Sequence, residues 1–490
     1  MNENKKTPEF KASEEGLIFE ISKEGRRGYC IAPSELDRDP SATIPKRYLR
    51  QEPLPLPQTS EPDVVRHFTR LASLNYSKDG GFYPLGSCTM KYNPKAYEYI
   101  ASYANFEDTH PYQPEETCQG NLEILYEMEQ FLAEISGMDA VSLAPAAGAH
   151  GELTGMLIIR AYHLSKGNLR TKVLIPDTAH GTNPASTAIC GYKVVEIKSD
   201  KNGMINPNDV ERLVDEETAA IMITNPNTLG IFEAHIDEIA DIIHKKGGLV
   251  YMDGANLNAI MGISRPGDFG VDVMHFNLHK TFATPHGGGG PGSGPVGVKK
   301  ELEPFLPIPR IAKESEGFRF IYDRPLSIGR VKTFYGNFSV ILRAYAYIRE
   351  MGGEGLRLAS EMAVLNSNYI RSKLKNHYHQ SYTTDTLHEC VFSDKYQQQY
   401  GVKTLDIAKR LMDYGLHPPT IYFPLIVHGA IMIEPTETES KDACDEFINA
   451  MISIAKECEA APEIVKGAPY TTPRRRLDEA GAVREPRLKW

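Results

Sequence analysis

From Gly120 onward, apolar positions fall into two alternating rhythms. Leu122, Leu125, Met128, Phe131, Leu132 and Ile135 recur at helical spacing, and Gly137 is placed to close that helix. Short apolar runs follow at 172–176, 193–198, 219–224, 249–253, 271–278 and 295–298, and each reads as a strand. Amphipathic stretches at 207–214 and 236–246 lie between them. Strands alternating with helices predict a mostly parallel sheet covered on both faces, hence an α/β domain over 116–340. Beyond it the rhythm changes. Helical stretches at 339–351 and 356–377 lead into strand-like runs at 387–392 and 431–434, with helices at 405–414 and 440–455. That mixture predicts a smaller α+β C-terminal domain over 341–490. Residues 1–115 are rich in proline and aromatics with little periodicity, and 52–57 (Glu-Pro-Leu-Pro-Leu-Pro) reads as an extended arm.

Composition narrows the class. The 490 residues are 41% hydrophobic and 24% charged, which is the balance of a folded chain with two or three domains. A formal charge of −10 gives no pull toward nucleic acid or anionic membrane. Seven cysteines are scattered without a Cys-x-x-Cys pair, which argues against a disulfide framework and a zinc site; no metal is expected. The polar N-terminus lacks the apolar segment of a signal peptide, and no apolar run reaches membrane-spanning length. A reduced, cytoplasmic protein is the expectation.

Five segments carry candidate chemistry, each beside a strand end. The run 249–253 ends in Asp253, an acid suited to pair with a cationic ring nitrogen, although a turn or cap aspartate would look the same. The run 271–278 delivers His279 and Lys280. A lysine leaving a buried strand is uncommon, because desolvation disfavours its charge and makes the amine nucleophilic. The small-residue segment 143–150 leads into a helix, so Gly148 and Ala149 offer backbone N–H groups to a phosphate. His180 follows the strand 172–176, placed to stack on a planar ring; a hydrogen-bonded structural histidine is the alternative. The loop 224–230 brings Asn227 and Thr228 as polar contacts, and Asn277 precedes the lysine. Taken singly, each has an ordinary packing or turn explanation. Together they outline a site for a phosphorylated pyridine aldehyde, with Lys280 as the Schiff-base anchor and Asp253 as the pyridinium partner. The glycine-rich run 285–297 matches neither a Walker loop nor a dinucleotide fingerprint and reads as a backbone-accessible loop beside the lysine.

These residues also carry a family likeness. Asp253-Gly-Ala-Asn-Leu-Asn-Ala-Ile-Met-Gly262 and Leu278-His-Lys-Thr-Phe-Ala-Thr-Pro-His-Gly-Gly-Gly-Gly-Pro-Gly-Ser-Gly294 resemble the P-protein family of the glycine cleavage system, glycine dehydrogenase (decarboxylating). Leu85-Gly-Ser-Cys-Thr-Met-Lys91, His180-Gly-Thr-Asn-Pro-Ala-Ser186, Thr224-Asn-Pro-Asn-Thr-Leu-Gly230 and Ile433-Glu-Pro-Thr-Glu-Thr438 support it. The resemblance runs from about residue 30 to the C-terminus. It implies fold type I of the pyridoxal 5′-phosphate enzymes, release of CO2 from glycine, and transfer of the aminomethyl group to the lipoyl-lysine of the H-protein. It carries over Lys280 as covalent anchor, Asp253 and His180 as catalytic and cofactor contacts, and Gly148, Ala149, Asn227, Thr228, Asn277 and His279 as cofactor contacts. Some members are single chains about twice this length with two related halves. The likeness here is to the lysine-bearing half alone, which implies a separate partner subunit and two copies of each. Another amino-acid decarboxylase or lyase of the same fold is the rival; a carrier-binding subunit without catalysis is a weaker one.

Overall fold

The computed structural model describes residues 15–28, 32, 39–52, 54–287 and 290–488. The polar segment 1–14, Cys30, and Gly288 and Gly289 of the glycine-rich run therefore lie outside the described residues. The chain divides into two compact units, Gly81–Ala468 and the smaller Met1–Gly80 with Pro469–Trp490. In the smaller unit, Ser60 caps the helix Glu61–Ser73 in a reciprocal box with Asp63. Glu15 there accepts hydrogen bonds from Arg70 and pairs with His67.

The larger unit is built on a seven-stranded sheet. Its strands are β1 (Ala140–Ser142), β2 (Lys172–Pro176), β3 (Lys193–Ile197), β4 (Thr218–Thr224), β5 (Leu249–Gly254), β6 (Val273–Phe276) and β7 (Val296–Val298), in the order β1-β7-β6-β5-β4-β2-β3. Neighbours are parallel except around β7, which runs against both β1 and β6. Six of the seven strands therefore point their carboxyl ends to one edge. The α/β expectation holds, and the central strands are buried on both sides as their continuous apolar runs require. Alternate side chains face opposite layers. Ile221, Ile223, Val250, Met252 and Met274 pack with Leu125, Met128, Ile239 and Ile243, while Ala220, Met222, Tyr251 and Val273 pack with Met156, Ile158 and Ile159. Each such aliphatic side chain removed from water contributes about 1.5–3 kcal/mol.

Among the elements that the apolar pattern does not announce are a strand and a hairpin of this unit. Strand β1 is three residues long, and the hairpin of β8 (Arg310–Glu314) and β9 (Gly317–Ile321) is half exposed and carries no apolar run. One boundary also moves. The strand expected over 271–278 ends at Phe276, and a single helical turn, Leu278–Thr281, carries Lys280.

The remaining residues form a second layered core. The helical segment Phe338–Leu374 is broken at Gly352 (φ 58°, ψ −179°), where the sequence placed the gap between two helices. It leads to a three-stranded antiparallel sheet of β10 (Cys390–Ser393), β11 (Thr420–Ile421) and β12 (Ala430–Ile433), ordered β10-β12-β11. Phe392, Ile431 and Ile433 of that sheet pack against Ile370, Leu411, Phe447, Met451 and Ile454. The six cysteines among the described residues are free thiols. No helix is long and apolar enough to cross a membrane among the described residues.

Candidate active site

The carboxyl edge of the large sheet gathers the chemistry, as it does in open α/β sheets generally. Asp253 closes β5, and in register beside it His275 lies on β6. His180 follows β2, and Lys280 follows β6 within the turn Leu278–Thr281. Asp253 is 1% exposed, yet every lone pair has company. Its Oδ2 meets Nδ1 of His180 at 2.8 Å and accepts from the Asn183 amide at 3.0 Å; its Oδ1 accepts from the Ala255 N–H at 2.9 Å and meets Nε2 of His275 at 3.3 Å. Burial by itself would raise this carboxyl, but the His180 and His275 rings and the Asn183 amide outweigh it and hold the group well below the usual carboxylate range. The chain of contacts continues both ways. Tyr251 reaches Nδ1 of His275 at 2.7 Å, and Nε2 of His180 meets the Ser87 hydroxyl at 2.6 Å. Asn183 also donates to Glu152, which ties the network to the helix Gly148–Ser165.

Lys280 is half-buried, and its Nζ donates to the carbonyl of Ser87 at 2.7 Å. Ser87 thus holds both the lysine and the histidine. The turn that presents it is strained: Ser87 (φ 64°) and Thr89 (φ 46°) are left-handed without being glycine, at about 1–3 kcal/mol each. Three other segments brace it. Thr420 donates to the Gly86 carbonyl, Glu434 donates its N–H to Pro84, and the fully buried Lys91 donates to Asn258, Glu437 and the carbonyl of Thr281. Lys91 therefore fastens the backbone immediately after Lys280.

The helix Gly148–Ser165 starts at the same edge, and no side chain caps it. Its first N–H groups are therefore open to an anion. The approach there is close. A Cβ on Gly148 would fall 2.1 Å from Oδ1 of Asn277, and one on Gly294 would fall 1.9 Å from the carbonyl oxygen of Ala147. Only glycine lets the glycine-rich segment lie against the helix start. Nearby, the buried hydroxyls of Thr281, Thr284 and Ser293 and Nδ1 of His279 have no hydrogen-bond partner among the described residues. Unsatisfied buried donors of this kind are what a site for a polar ligand leaves behind.

The sequence candidates separate accordingly. Lys280, Asp253, His180, Gly148, Ala149, Asn277 and His279 converge on this edge. The side-chain amide of Asn277 lies 3.2 Å from Nε2 of His275. Asn227 is committed inside its own loop, where its amide donates to Gly203 and Glu233 and its carbonyl accepts from Leu229 and Ile231. Thr228 donates to the carbonyl of Thr178, two residues before His180. Reading the sequence missed Ser87, Asn183, His275, Glu152, Glu389 and Glu434. The motif 85–91 was visible, but nothing local said that it folds over Lys280.

His279 supplies a pH test. Burial, then the neighbouring Lys280 charge, lowers its ring to about 3, against about 6.5 in an unfolded chain. A lowered folded value stabilises above the unfolded value and is lost as pH falls from about 6.5 toward 3. Urea unfolding of the cofactor-free chain should therefore lose about 3 kcal/mol between pH 7 and 4 from this ring. The His279→Asn variant should lose that much less over the same range. Equal slopes for the two proteins would show that the ring is not held neutral.

The same architecture occurs in a crystal structure of glycine decarboxylase (P-protein) of the glycine cleavage system in inhibitor-bound form. That match has a TM-score of 0.71 at 21% identity, covering 84% of this chain and 94% of that one. Glutamate decarboxylase of Lactobacillus brevis is similar at a TM-score of 0.64 and 14% identity, over 85% of this chain and 96% of that one. The fold is thus type I of the pyridoxal-phosphate enzymes. Family profiles match as well, the glycine cleavage system P-protein over residues 30–318 and the glycine dehydrogenase C-terminal domain over 359–470. The probable glycine dehydrogenase (decarboxylating) subunit 2 of Caldanaerobacter subterraneus subsp. tengcongensis is 57% identical over 97% of this chain and 98% of its own length. That of Shouchella clausii is 56% identical over 98% of each. The chain belongs to the glycine dehydrogenase (decarboxylating) subunit 2 family, the P-proteins of the glycine cleavage system.

Proposed function

We propose that this chain is the lysine-bearing catalytic subunit of a cytoplasmic P-protein. It decarboxylates glycine with pyridoxal 5′-phosphate and passes the aminomethyl group to the lipoyl-lysine of the H-protein. It works with a separate subunit 1, two copies of each. The observation that carries this reading is the meeting of Lys280, His180 and Asp253 at one sheet edge beside an uncapped helix start.

The residues fit the cofactor. Lys280 would hold it covalently, Asp253 would face the ring nitrogen, and His180 would lie against the ring. The N–H groups of Gly148 and Ala149 would take the phosphate, together with the unsatisfied hydroxyls nearby. When bound, the cofactor supplies an electron sink for the carbon that loses CO2. The protein's part is electrostatic and positional. Asp253 keeps its negative charge because two imidazoles and an amide are aimed at it, so it favours a protonated ring nitrogen throughout the reaction. Ser87 fixes Nε2 of His180 and Nζ of Lys280 with one residue, so the amine and the imidazole keep a set spacing.

Mass spectrometry of the borohydride-reduced protein, after mixing with pyridoxal 5′-phosphate, tests the reading. The pyridoxyl mass should map to the peptide holding Lys280. Absence of a label there, with the partner subunit present, would overturn it. Against the rival decarboxylases, CO2 release from a panel of amino acids should favour glycine.

A further inference from the structure

Two glutamates outside the cofactor constellation sit directly behind Lys280. Strands β10 and β12 pair antiparallel with Cys390 opposite Ile433, so the continued register sets Glu389 opposite Glu434. Like charges facing each other across a strand pair repel, and both side chains are fully buried, at 0% and 1% exposed. Carboxyl oxygens of the two and a ring nitrogen of His388 all lie within 4.8 Å of one another. Both acids nonetheless grip the strained turn. Glu389 accepts from the N–H of Ser87 at 2.9 Å, and Glu434 accepts from the N–H groups of Cys88 at 3.1 Å and Thr89 at 2.9 Å and from the Thr89 hydroxyl.

We propose that Glu389 and Glu434 share one proton and act as a positioning pair, locking the Ser87–Thr89 turn onto Lys280 and His180 while presenting a single negative charge to the lysine. Glu389 is the acid that holds the proton. It has one backbone donor and a long contact from Asn256 at 3.4 Å, whereas Glu434 has three donors that favour its ionised form. The other titratable groups facing the pair are few. Lys280 is the cation. His388 is kept neutral by burial, then by the Lys280 and His180 charges, which lower it to about 3, and it stands 3.7 Å from Glu434, too far for a hydrogen bond. The Cys88 thiol is pushed up to about 11 by burial and stays protonated. Burial first, then mutual repulsion, raises Glu389 well above the usual carboxylate range, and burial raises Glu434. Two buried carboxylates against one ammonium would leave an unmatched charge; one proton removes the mismatch.

The inference rests on Lys280 as the anchoring lysine, and its test needs neither cofactor nor substrate. At about pH 9 the other buried acids, Glu129, Glu233 and Glu439, each raised to about 7, have ionised, and infrared spectra of the cofactor-free chain should show one buried, protonated carboxyl stretch that shifts in D2O. Either single variant, Glu389→Gln or Glu434→Gln, should abolish that band, because the remaining acid ionises alone beside the lysine. Only the double variant removes the counter-charge, so its Lys280 should react about tenfold faster with an amine-directed reagent at mildly alkaline pH, read by peptide mapping. Each single variant should stay within about twofold of the parent. A wild-type protein without the band overturns the proposal whether or not the variants fold. A band that survives in both single variants, or a double variant no more reactive than the parent, overturns it too. Pyridoxyl labelling of Lys280, by borohydride reduction of the parent chain mixed with pyridoxal 5′-phosphate, is independent of all of these, so the two readings fail separately.

Discussion

Replacing Lys280 by alanine is expected to abolish both the visible absorbance of the bound cofactor and CO2 release from glycine, the latter by at least about a thousandfold. The size follows from how much converges on one amine. It is the covalent anchor in the proposed reaction, and its Nζ is fixed by a carbonyl that a strained turn exists to present. Little stability should be lost, because the lysine is half-buried and makes one strong contact. Absorbance spectra and urea unfolding of the same variant separate the two effects. A variant that keeps the visible band would remove Lys280 from the chemistry; one that unfolds readily would give it a structural role instead.

The second large effect is expected at Asp253. Asp253→Asn keeps the shape and removes the charge, and two costs follow. Turnover should fall by about 10²–10³, the scale on which an electrostatic contact to developing charge is felt. Stability should fall by about 2 kcal/mol, since hydrogen bonds from His180 and Asn183 lose a charged acceptor in a buried site. The contact from Ala255 survives, because an amide oxygen still accepts an N–H. A kcat unchanged in the presence of saturating cofactor would mean that Asp253 merely orients His180.

The fold was legible where burial wrote long apolar runs. Strands β2, β4, β5 and β6 lie inside the sheet, covered on both faces, and their sequences show it. Strand β1 has three residues and no run to read, and the hairpin of β8 and β9 lies half in solvent, so composition there obeys no simple period. The candidate site divides along the same line. Asp253, His180 and Lys280 stand just beyond apolar strands, and the general tendency of strand ends to face ligands points at them. Ser87 meets Glu389 across a separation of 302 residues and Thr89 meets Glu434 across 345, and no local pattern reports such a meeting. Asn227 also stands beside a strand end, and there the side chain is engaged by its surroundings, donating to Gly203 and Glu233 and accepting from Leu229 and Ile231. In this chain the residues at strand ends were readable and the groups that hydrogen-bond to them were not, because the latter come from distant turns.

The break at Gly352 has a mechanical meaning. Uninterrupted, the 37 residues of Phe338–Leu374 would form a strut about 55 Å long that carried bending stress from the large sheet to the small one. With φ 58° and ψ −179°, a conformation reachable in practice only by glycine, Gly352 cuts that strut into two shorter beams. The second beam spans both cores, with Leu356 and Ala359 packed on the large-sheet side and Ile370 and Leu374 on the small-sheet side. It shares the alignment of the two sheets with the short-range fasteners at the catalytic edge, chiefly Lys91, Glu389 and Glu434.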